Sequence, residues 1–181
     1  MAKAISQSER RRYWMSLAGL AIALPVAVLV HSWESIAAWR AVNEHDPVMV
    51  GREESESYAG AEWRLTTLSR LPSGSAEQVV VLAEFEARIE EPNLLTEGLC
   101  AVVLTDAEGR RWQPAFLIEP IVRKMHPEAA DKPRCGGLAF RNAGKGGTAS
   151  MAETFVVPAT ANGLALSVTV PSARPRYLLF R

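Results

Sequence analysis

"QVVVLAEFEARIE", residues 78–90, alternates apolar and charged side chains over most of its length. Val79, Val81, Ala83, Phe85, Ala87 and Ile89 fall on one side, and Glu84, Glu86, Arg88 and Glu90 on the other. Successive side chains of a strand point to opposite faces, so this pattern predicts a strand with one face in a core and one toward water. Val80 and Leu82 break the polar side at its start. That end is expected to be covered on both faces. Glu84 and Glu86 share a face and are spaced for an acid pair, but the whole face is charged, which predicts a solvated surface.

Further strands follow the same reading, with turn residues between them. They are "EWRLTTL" around Trp63 and Leu65, "CAVVLT" from Cys100, "RRWQPAF" from Arg110, "ETFVV" near Phe155, "LALSVTV" near Leu166 and "RYLLF" at the end. Asp106 to Gly109 is short enough for a hairpin loop. About seven strands without a helix pattern among them predict an all-β fold, an immunoglobulin-like antiparallel β-sandwich over residues 61–181. A small barrel is the alternative. Trp63, Phe85, Phe155 and Tyr177 are the expected core aromatics.

The rhythm fails in "LIEPIVRKMHPEAADKPRCGG", residues 117–137, where Pro120, Pro127 and Pro133 punctuate mixed charges. This reads as a long excursion between strands. Long ordered loops in compact domains are commonly functional. Ile121, Arg123, Lys124, Met125 and His126 are therefore the candidate partner-contact residues. Cys100 stands at a strand start and Cys135 at the end of the excursion. A disulfide between them would pin the excursion to the sheet and contribute roughly 2 to 4 kcal/mol. Two free buried thiols, or a metal or redox role, are the other readings, although neither C-x-x-C nor zinc-ribbon spacing is present.

At the other end, "RRRYWMSLAGLAIALPVAVLVHSW", residues 10–33, carries no charge from Tyr13 to Val30. Eighteen helical residues rise about 27 Å, close to the roughly 30 Å of a bilayer's hydrocarbon core. The expectation is a signal-anchor transmembrane helix at 13–33 in contact with membrane lipid, after a basic cytoplasmic tail at 1–12. A cleaved export signal is the competing reading, and the twin-arginine pattern is spoiled by Glu9. Residues 34–60 then read as a juxtamembrane helix, to about Asn43, and an acidic spacer. The domain beyond would lie outside the cytoplasmic membrane, crossed once.

Twenty basic and twenty acidic residues cancel, and no basic field exists outside the extreme N-terminus. That argues against nucleic acid as a partner. His31, His45 and His126 are scattered, and "GLAFRNAGKGGTAS" lacks phosphate-loop spacing and its hydroxyl residue. There is no G-x-S-x-G. No catalytic residue, metal site, cofactor or small-molecule substrate is assigned on these grounds.

"LTDAEGRRWQP", followed by a glycine-rich turn and "ETFVVPATANGLALSVTV", resembles a family of bacterial envelope-anchored proteins with an immunoglobulin-like domain, including secreted antigen-like members and mostly of unknown function. The likeness rests on Asp-x-x-Gly before an aromatic and on Phe155-x-x-Pro158. It implies a β-sandwich and carries over no catalytic residue. The expected role is non-enzymatic binding of another envelope protein. A ligand-binding or sensing module of the same fold is the alternative, and it would need an apolar pocket with a few convergent polar groups.

Overall fold

The computed structural model describes residues 7–42, 46–91 and 100–181, with the side chains of the N-terminal helix described for 10–28, 30 and 33. The chain forms two units, Met1–Val42 and Asn43–Arg181. The first is the helix α1, Gln7–Val42, with Pro25 inside it. Among the described residues no helix is long and apolar enough to cross a membrane, which corrects the expected transmembrane helix at 13–33. The helix continues through charged sequence at both ends. Helicity and low charge do not by themselves make a span.

The second unit holds two sheets. Its strands are β1 Asp46–Val50, β2 Ser55–Tyr58, β3 Ala61–Pro72, β4 Gln78–Ile89, β5 Ala101–Thr105, β6 Arg111–Trp112, β7 Thr148–Pro158, β8 Ala165–Thr169 and β9 Arg176–Phe180. One sheet runs β1-β9-β8-β5-β6 and the other β2-β3-β4-β7. Short helices α2 Pro120–Met125, α3 Pro127–Ala130 and α4 Gly137–Ala143 lie between β6 and β7.

Three expectations are corrected here. The fold is not all-β, because helices form in the stretch after residue 117. It is not wholly antiparallel, because β1 pairs parallel with β9, Asp46 opposite Arg176 through Val50 opposite Phe180. Nine strands are present among the described residues rather than about seven. The extra two, β1 and β2, occupy the stretch read as an acidic spacer. Their acids misled: Val48 and Val50 turn toward the core while Asp46 and Met49 stay exposed. The outer edge of β1 is blunted, since Pro47 has no N–H and the Gly51 N–H donates to Glu54 Oε2 at 3.1 Å.

The core between the sheets follows the predicted alternation of β4. Val81, Ala83, Phe85, Ala87 and Ile89 all lie in it. Trp63 stacks on Phe85 at a centroid distance of 6.4 Å and meets Phe140 of α4 edge-on at 5.8 Å. Phe155 is buried as expected, whereas Tyr177 is only half-buried. The buried tyrosine is Tyr58. Its hydroxyl donates to Arg176 O at 2.8 Å and accepts from Val170 N–H at 3.1 Å, while Trp63 Nε1 donates to Tyr58 O at 2.8 Å. This knot ties β2, β3 and the entry to β9 together.

Candidate functional site

The second face of β4 is where the excursion comes to rest. Val80 and Leu82, with Leu71 of β3 and Ala152 of β7, are buried under Val122 of α2 and Ala129 of α3. Val80 and Leu82 thus mark the strand end covered on both faces. Helices of four to six residues are unstable alone. These two form because each lays one apolar residue on the sheet and begins with proline, which suits a helix's first turn.

Charge and backbone fasten the same segment. Lys132 Nζ lies 2.7 Å from Glu84 Oε1. Glu84, expected in a solvated face, is only 9% exposed, so that expectation is corrected: the excursion supplies both cover and counter-ion. Glu86 accepts from Ser150 Oγ at 2.8 Å. Glu153, opposite Ala83 in the ladder, faces into the sandwich. Its Oε2 accepts from Arg134 Nε at 2.9 Å and its Oε1 from Cys135 N–H at 3.1 Å. Burial pushes the Glu153 carboxyl up from its usual range, against the lowering effect of the Arg134 charge and the hydrogen bonds from Cys135 and Arg134.

The excursion and the residues just before it also cover the outer edge of β7. Ala115 N–H donates to Thr154 O at 2.7 Å, and Ala152 N–H donates to Pro133 O at 3.2 Å. An eleven-residue edge strand would otherwise offer those groups to another chain. A disulfide joins Cys100 to Cys135, with Cα atoms 5.4 Å apart. It ties the far end of the excursion to the chain just before β5.

The candidate contact residues separate into two kinds. Ile121 is half-buried against the apolar cluster under the excursion, and His126 is half-buried with its N–H on Val122 O at 2.7 Å. These two serve the segment's own packing. Arg123, Lys124 and Met125 are exposed. His31 and His45 lie outside the residues whose side chains are described. The strand-like reading of "QPAF" concealed two more: β6 ends at Trp112, and Phe116 is 90% exposed and Leu117 73%. Two adjacent large apolar residues before a proline-rich stretch were the available signal.

Beside α2 runs an open groove of about 480 Å³, lined by Pro72, Ser73, Gly74, Val80, Pro120 and Ile121 among others. Under the excursion only about 20 Å³ is free, room for roughly one water. Among the described residues no group of three or more His, Cys, Asp or Glu is placed to hold a metal ion. Asp106 is a turn-former: Oδ1 accepts from Glu108 N–H at 3.0 Å and Arg110 N–H at 2.9 Å, and Oδ2 from Arg110 Nε at 2.7 Å. Burial raises its pKa, but the Arg110 hydrogen bonds and charge and the Glu108 N–H outweigh burial and hold it below the usual carboxylate range.

No family model matches the chain, and no curated protein matches it. Solved structures are similar to it at low identity. The yjhA protein of Bacillus subtilis is 10% identical over 72% of this chain and 97% of its own, with a TM-score of 0.45. An uncharacterized β-sandwich protein of Clostridium difficile is 9% identical over 76% and 95%, at 0.43. A conserved hypothetical protein of Bacillus anthracis is 11% identical over 66% and 87%, at 0.42.

Proposed function

We propose that the unit after Val42 is a non-enzymatic binding module that presents its excursion to another protein on the extracytoplasmic side of the cell envelope. The observation that carries this reading is the contrast within residues 115–138. The segment is fastened to the sheet by two ion pairs and a disulfide, yet Phe116, Leu117, Met125 and Leu138 are each at least half exposed. Scattered apolar residues on a surface are ordinary. Four in one well-anchored stretch, with Arg123 exposed near Met125, are pre-ordered side chains of the aromatic, methionine and arginine types enriched at protein interfaces, together with two leucines. The disulfide supports an oxidising compartment.

The test is photo-crosslinking in cells from positions 117 and 125, with position 108 in the exposed hairpin loop as control. An adduct with one protein at 117 and 125, missing at 108 and weakened by Phe116→Asp, is the expected result. Equal adducts at all three positions, or none at 117 and 125, would refute the reading.

A further inference from the structure

We propose that the Cys100–Cys135 disulfide is a reducible clasp, a site for thiol–disulfide exchange with a dithiol reductant, whose opening frees the excursion while the sandwich core stays folded. Four observations place the clasp where it acts in this way. Both cysteines are half-buried at the edge of the main core rather than sealed within it, and exchange begins with a thiolate reaching one of their sulfurs. Cys135 closes the excursion, and Cys100 precedes β5, on the other sheet. The apolar residues beneath α2 and α3 form a cluster of their own, separate from the core between the sheets. Near Cys135 the remaining holds are its packing against the edge of the main core and Glu153, through Arg134 and the Cys135 N–H.

The exchange balances with the named reductant. One thiolate of the dithiol attacks a sulfur of the pair and breaks the S–S bond to give a mixed disulfide. Its second thiol displaces the protein sulfur, leaving the reductant oxidised and Cys100 and Cys135 as two thiols, with two electrons and two protons transferred. Without the clasp, the holds on the excursion among the described residues are the Glu84–Lys132 and Glu153–Arg134 pairs, the small apolar cluster, the contacts at β7 and the packing of Cys135 at the core edge. Local opening of such a segment is governed by exactly those few contacts.

The experiment uses the full chain, oxidised or treated with dithiothreitol, read by hydrogen exchange and by limited trypsin digestion. Under reduction, exchange over 117–134 and cleavage after Arg123 and Lys124 rise at least tenfold, while amides of β3 and β4 remain the better protected, lowered only as far as the bridge's share of global stability. The Cys100→Ser/Cys135→Ser chain shows the open behaviour without reductant and no further change with it. Three results overturn the proposal: a disulfide that native-state thiol labelling shows to resist the dithiol, an excursion unchanged after reduction, or strands whose protection falls to the level of the excursion's. The measurement needs no binding partner, so its failure is separate from failure of the interface reading.

Discussion

Lys132 Nζ sits 2.7 Å from Glu84 Oε1, joining the excursion to the middle of β4. Glu84 is 9% exposed, whereas the Lys132 side chain is 30% exposed. The lysine is thus the half of the pair that can be removed into water at little cost, and the glutamate the half that suffers. Lys132→Met is expected to destabilise by about 1 to 3 kcal/mol, the cost of a buried acceptor left unpaired. Adding Glu84→Gln should recover part of that loss. Urea unfolding of the two single variants and the double variant measures it.

The disulfide spans 35 residues, a loop whose closure is worth about 4 kcal/mol on chain entropy. Cys100→Ser/Cys135→Ser should lower unfolding free energy by that order and leave a folded protein. Urea titration followed by tryptophan fluorescence reports it, since Trp63 lies in the core. A variant with no stability loss would mean the bridge contributes nothing.

Two carboxylates predict opposite pH responses. Asp106 has its pKa depressed in the folded state. Its contribution is present above the ordinary carboxylate pKa of about 4 and is lost as pH falls through the lower folded value. Glu153 is raised, so the folded state holds its proton more tightly than the unfolded chain. Its contribution is greatest below about 4 and is lost as pH rises to the folded pKa. Asp106→Asn should flatten the acid limb of a stability profile, and Glu153→Gln should flatten the fall on the higher-pH side. Urea midpoints from pH 3 to 7 for the three proteins decide it.

Tyr58→Phe removes the hydroxyl that bridges Val170 N–H and Arg176 O. Leaving a buried donor unmet costs about 1 to 3 kcal/mol. Phe140→Ala, which empties the slot against Trp63, should cost about 3 to 5 kcal/mol. Both are read from denaturant midpoints. A neutral Tyr58→Phe would show that the hydroxyl contributes nothing to holding β2 against the ends of β8 and β9.

The strands were legible wherever one residue in two meets the core, because that constraint is local: it is written in Val79 to Ile89 and in Leu164 to Val170. The covered end of β4 was legible too, since Val80 and Leu82 have no reason to be apolar on a wetted face. What lay beyond the sequence depends on partners far along the chain. "DPVMV" becomes a strand only because β9 offers an edge in parallel register. Residues 120–130 become helices only because Val80, Leu82 and Ala152 give Val122 and Ala129 a surface. Glu84 reads as solvated until Lys132 arrives from 48 residues away. The uncharged run at 13–30 marked a helix, but among the described residues no helix is long and apolar enough to cross a membrane. Sequence alone determined the alternating strands and the core they build, because side-chain period is a property of consecutive residues. Tertiary structure decided the parallel edge, the helical cover and the pairing of its charges, because burial of a polar or short segment is conferred by whatever packs on it.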